Sequence, residues 1–143
     1  MKRRSLLRTL PVLATGLGGC LAPRGDGGSD PPRRVTERAL RDTGRCSEPE
    51  SATVDTTASR IRVTGCITGP NGCAVARLES ATLDEETMTV TVTTGSDEPP
   101  GTACTQALVY RGYVATIRVA GGAPSAVRVV HDVPGGRRTV VTA

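Results

Sequence analysis

The chain has one histidine, His131, in the run Val-Arg-Val-Val-His-Asp-Val at residues 127–133. Imidazole titrates near neutral pH and is the commonest general base. A secreted hydrolase would use His131 as base, Asp132 as its orienter and a Ser or Thr hydroxyl as nucleophile. The spacing argues against that use. Neighbours on a strand point to opposite faces, so Asp132 is badly placed to hold the ring. The Gly-x-Ser-x-Gly elbow of such enzymes is missing as well. His131 therefore reads as a surface or strand-end residue, and no catalytic residue is assigned. A small hydrolase-like enzyme using His131 stays as the alternative.

Other chemistry is equally sparse. A lone histidine rules out a His-rich metal site. Asp84-Glu85-Glu86 offers three carboxylates, suited to acid–base work or calcium, but between two strands it reads as a solvated turn. Thr68-Gly69-Pro70-Asn71-Gly72 has turn chemistry without the lysine of a phosphate loop. Pro134-Gly135-Gly136-Arg137-Arg138 is a turn with two exposed bases, suited at most to an anionic membrane or glycan. No cofactor and no metal is expected.

The five cysteines say more. Cys46, Cys66, Cys73 and Cys104 are separated by 19, 6 and 30 residues. Zinc sites bring two ligands within two to four residues of each other, so the even set of four reads as two disulfides with three possible connectivities. Cys20 is the odd one.

Cys20 ends the opening segment MKRRSLLRTLPVLATGLGGC. A basic cluster, a short apolar run over 10–17 and then small residues form the layout of an export signal. The run is too short to span a bilayer, which takes roughly 20 residues. Arg3-Arg4-Ser5-Leu6-Leu7-Arg8 resembles the twin-arginine export signal. Leu17-Gly18-Gly19-Cys20 resembles the lipobox of secreted lipoproteins. That resemblance implies cleavage before Cys20 and a two-chain lipid on its sulfur, and two chains anchor stably where one is marginal.

The two motifs together, and 17 arginines against one lysine, resemble lipoproteins of halophilic archaea. The whole chain, including GCITGPNGC at 65–73 and ACTQALVY at 103–110, resembles small haloarchaeal secreted lipoproteins. The resemblance implies a place, the outer face of the cell membrane, with the chain held there through Cys20.

The formal charge of +4 belongs to that opening segment, because 14 basic and 14 acidic residues lie beyond Cys20. With Tyr110 and Tyr113 as the only aromatics, a basic, base-stacking nucleic-acid surface is excluded. The expected partners are the membrane, through the lipid, and an unidentified protein or glycan.

The elements that position these residues are strands. Residues 20–45 are rich in Gly, Pro and charge and read as the lipidated N-terminus and a flexible tether, with at most a marginal helical turn at 36–43. From Cys46 the texture changes. Residues 59–69, 74–83, 87–95 and 113–122 alternate apolar and polar side chains to varying degrees, and SAVRVVHDV and RRTVVT add two more runs. Turn residues separate them. The expectation is an all-β fold, an antiparallel Ig-like sandwich of about six to seven short strands over 46–143, behind a signal peptide at 1–19. The parity before Tyr113 stays open: either Gln106, Leu108 and Tyr110 face the core and Gly112 marks a bulge, or Ala107 and Val109 face it with Arg111 as the misfit.

A meander order would place Cys73 and Cys104 at one end of the sheet. Cys73–Cys104 is therefore favoured, leaving Cys46–Cys66 to clamp the incoming tether.

Overall fold

The computed structural model of the protein describes residues 32–143. The lipidation residue Cys20 and the export residues Arg3 and Arg4 lie outside the described residues. Within them there are eight strands and no helix: β1 (Arg34–Arg45), β2 (Ser51–Thr56), β3 (Arg60–Gly69), β4 (Ala74–Asp84), β5 (Thr87–Ser96), β6 (Val109–Ala120), β7 (Ala126–Val133) and β8 (Gly136–Thr142). They form two four-stranded sheets, ordered β1-β6-β3-β2 (sheet 1) and β4-β5-β7-β8 (sheet 2).

Alternating β-branched residues build the sandwich, because every second side chain reaches the same face. Sheet 1 contributes Ile61, Val63, Ile67, Tyr113, Ala115, Ile117 and Val119 to the core, and sheet 2 contributes Met88, Val90, Val92, Val127 and Val129. The disulfides are Cys46–Cys66 and Cys73–Cys104, both at the end of the sandwich where β1 finishes.

The expected all-β sandwich with two disulfides is present, with seven of its eight strands within 46–143 and one parallel pair, β5 and β7. Three expectations are corrected. The connection from β3 to β4 is not a hairpin but a crossing between sheets, so the meander order fails although the favoured disulfides form. The tether does not extend to residue 45: Arg34–Arg45 is an edge strand paired with β6 along its length, and residues 36–43 are not a helical turn.

The parity of β6 is resolved by its unbroken register with β3. Val109, Arg111, Tyr113, Ala115 and Ile117 share the inner face, so Arg111 is the charged residue among them and β6 has no bulge. The irregularity sits opposite, on β1 between Asp42 and Gly44. Gly112 makes room for it: a Cβ there would lie 2.6 Å from Thr43 Oγ1.

Asp42 answers the charge of Arg111. Its Oδ1 accepts from Arg111 Nη2 at 2.7 Å and from the Gly44 amide at 2.8 Å. Its Oδ2 accepts from Arg111 Nε at 3.1 Å and from the Ala76 amide of β4 at 2.8 Å. Arg38 Nε donates to the Ala81 carbonyl at 3.0 Å. Two side chains of β1 thus satisfy backbone groups on the edge of β4, sewing one side of the sandwich without pairing the strands.

Candidate functional site

His131 is not at the surface. It projects from β7 into the sandwich and is fully buried. Val127, Val129, His131 and Val133 share one face of β7, so the ring lands where the core expects a valine. Tyr113 reaches it from β6 of the opposite sheet and is fully buried too. Tyr113 Oη lies 2.7 Å from His131 Nε2, and the two rings meet edge to face with centroids 5.6 Å apart.

The other ring nitrogen faces a carboxylate. His131 Nδ1 lies 2.9 Å from Glu50 Oε1. Glu50 stands just before β2, at the end of the segment that crosses sheet 1 from β1. Its backbone is in the left-handed region, φ 58°, sparsely populated for a residue with a side chain. Two bonds hold it there: the Glu50 amide donates to the Cys66 carbonyl at 2.7 Å, and Glu50 Oε2 accepts from the Thr68 amide at 2.9 Å. Cys66 is bonded to Cys46, so the disulfide fixes the strand on which Glu50 rests.

These contacts define the protons. A carboxylate only accepts, so Nδ1 of His131 carries the hydrogen and donates it to Glu50. Nε2 then accepts from the Tyr113 hydroxyl. Burial lowers the basicity of His131 and outweighs the hydrogen bond and charge of Glu50, so the ring is neutral near pH 7. Burial and the Glu50 charge hold the Tyr113 phenol well above its ordinary value, so it stays a donor. At the seam, burial raises the Asp42 carboxyl, but the bonds from Arg111, Ala76 and Gly44 prevail and hold it below the usual range.

Carboxylate, imidazole and hydroxyl in sequence is the order of an acid–base–nucleophile relay. Here it has no room for a substrate. A Cβ built on Gly65 would lie 2.4 Å from Tyr113 Oη and 2.8 Å from the Ser51 carbonyl, so the hydroxyl is walled in by backbone. Surface concavities lie elsewhere: between β1 and β4, beside the Cys46–Cys66 disulfide, and by Leu108 and Tyr110. His131 and Tyr113 line none of these three. Chemically, the chain of bonds ties the two sheets and the crossing segment together through the core.

Asp132 takes no part in it. It lies 3.6 Å from Arg137, as expected of a neighbour on the opposite face. Arg137 also holds Glu79 at 2.6 Å. Of the acidic turn, Glu86 bonds Arg33 at 2.6 Å and Ser125 at 2.9 Å, and these bonds hold its carboxyl below the usual range. Among the described residues no group of three His, Cys, Asp or Glu side chains is placed to hold a metal ion.

Sequence reasoning missed Glu50 and Tyr113 as partners of His131. One signal was present. A polar ring in phase with core valines must find a partner inside, and Tyr113 was already in phase with the core of its own strand. Nothing local marks Glu50, whose position depends on a long crossing and a left-handed backbone. No family model, curated protein or solved structure matches the chain.

Proposed function

We propose that this chain is an exported lipoprotein, held to the outer face of the cell membrane by a lipid on Cys20. Its β-sandwich then acts there as a binding or structural component of the envelope. The observation that carries the reading is the cysteine arithmetic. All four cysteines of the described residues close into two disulfides, Cys46–Cys66 and Cys73–Cys104. Disulfides persist in oxidising compartments outside the cytoplasm. Cys20 is left as the odd one of five, at the end of Leu17-Gly18-Gly19-Cys20 and behind the twin-arginine pair Arg3-Arg4. The buried histidine favours binding or structure over hydrolysis, because its hydrogen-bonding capacity is spent inside the core.

Cell fractionation tests it. The protein should sediment with membranes, and Cys20→Ser should move it to the soluble fraction. Arg3→Lys with Arg4→Lys should trap the unprocessed chain inside the cell. A wild-type protein that is cytoplasmic and carries reduced thiols would defeat the proposal.

A further inference from the structure

The two outer faces of the sandwich differ in charge. On sheet 2, the outward cations Arg77 and Arg137 meet carboxylates, Arg77 with Asp97 and Arg137 with Glu79 and Asp132. Arg128, between Thr89 and Thr142, is the one outward cation among the described residues of that sheet without an ion pair. The outward positions of its central strand β5 are Thr87, Thr89, Thr91 and Thr93. Sheet 1 is different. Its inner face takes Tyr113, Ala115 and Ile117, so the alternate residues and their register partners face out.

That places Arg60, Arg118 and Glu37 in one row across three strands, Arg62 beside Thr116, and Arg41 beside Val114. Arg34 stands at the first pair of β1 on the same face. The counter-charges there are Glu37, 3.7 Å from Arg118, and Asp55, opposite Arg62. Among the described residues, Arg34, Arg41, Arg60 and Arg62 form no ion pair. Arg60 directly opposite Arg118 is a like-charge pair, which costs stability in a sheet. The fold alone gives no reason to keep it.

Apolar exposure falls beside the same face. The exposed large hydrophobics of the described residues are Leu108 and Tyr110, 59% and 41% exposed. Tyr110 pairs with Thr68 on the outer face of β6, about 26 Å along the strand from Arg118. Leu108 is two residues before it. Guanidinium groups bind phosphate bidentately, and a tyrosine ring with its hydroxyl suits the headgroup layer of a bilayer. The route of the chain agrees. Cys20 precedes Arg34 by 14 residues, a reach of at most about 50 Å, and Arg34 already belongs to this face.

We propose that the outer face of sheet 1 docks on the anionic headgroup surface of the membrane. Arg41, Arg60, Arg62 and Arg118 engage lipid phosphates there, and Tyr110 with Leu108 enters the headgroup layer. The proposal rests on the anchored reading for bringing the face to the membrane. It adds that the domain lies flat on the surface, with the threonine face of sheet 2 turned outward.

The test uses the full chain carrying Cys20→Ser, which takes no lipid, so its outcome is independent of whether Cys20 is lipidated in the cell. Tyr110→Trp supplies the only tryptophan of the chain as a reporter on the face. Its emission should shift to the blue with phosphatidylcholine vesicles containing phosphatidylglycerol, and not with phosphatidylcholine alone. Binding should weaken steeply with added salt. Each arginine near such a surface contributes about fivefold, so Arg41→Ala with Arg62→Ala should lose roughly 30-fold. Mass and circular dichroism confirm that the variant keeps both disulfides and the fold, and the salt series needs no arginine variant. Sedimentation with vesicles and no emission shift would show that residues 1–19 bind and the face does not, overturning the proposal. Undiminished binding by the double variant would overturn it as well. A shift with soluble polyglutamate and none with vesicles would assign the face to an acidic polymer and sink the lipid assignment.

Discussion

Acid should loosen this domain through one proton. His131 is the only histidine, it is fully buried, and both its ring nitrogens are committed. Its ordinary value is 6.5 and burial lowers it in the folded state. Between the lowered folded value and 6.5, the unfolded chain binds the proton and the folded chain does not. Stability therefore falls as pH falls below 6.5, and it is flat above. The structure explains the resistance: a protonated Nε2 no longer accepts, so the Tyr113 hydroxyl would lose the acceptor it holds in the core. One proton gives a slope of at most about 1.4 kcal/mol per pH unit. Taken down to pH 5, the loss is at most about 2 kcal/mol. With a urea slope near 1–2 kcal/mol/M for a domain this size, the midpoint should drop by at most about 1–2 M. Urea unfolding followed by far-UV circular dichroism between pH 8 and 5 measures it, and His131→Gln should remove the slope. A flat profile, or a domain that gains stability on acidification, would sink this explanation. The native ring would then be an imidazolium paired with Glu50.

The Asp42 carboxyl, held below its ordinary 3.8, adds a second acid transition at lower pH. Its stabilisation is present above that value and is lost as pH falls through the folded one. Asp42→Ala should cost about 2–4 kcal/mol, because it strands Arg111 and the Ala76 amide. Asp42→Ala with Arg111→Leu should cost less than Asp42→Ala alone; an equal cost would show that the charge of Arg111 is not the penalty. Removing Cys73–Cys104, which spans 31 residues, should cost roughly 3–4 kcal/mol by thermal or urea unfolding. Unchanged stability on reduction would show that the disulfides do not hold the domain. Gly65→Ala should destabilise by about 2–3 kcal/mol, since its Cβ would meet Tyr113 Oη and the Ser51 carbonyl.

The strands that repeat a period of two were legible in the sequence. Met88, Val90 and Val92 of β5 and Ile61 and Val63 of β3 sit in the core as their alternation requires. The disulfide partners also agreed with the end of the sheet that each cysteine was expected to reach. The losses have a common cause. β1 carries few apolar residues, its alternation is interrupted after Val35 and after Asp42, and its inward Arg38 and Asp42 serve the backbone of β4. Composition reads such a segment as a tether, because its stabilisation comes from hydrogen bonds to a partner far away in sequence. His131 was misplaced for the same reason. A buried polar ring is tolerable only with Tyr113 and Glu50 in place, 18 and 81 residues away. Neither distance leaves a local trace.

Whether the chain is an anchored, doubly cross-linked lipoprotein is decided by intact mass spectrometry of the membrane-fraction protein, with and without reductant. The expected species begins at Cys20, is heavier by a two-chain lipid, and gains the mass of four hydrogens when its two disulfides are reduced. A soluble product that still begins at Met1 with an unmodified Cys20 thiol would be incompatible with an anchored lipoprotein.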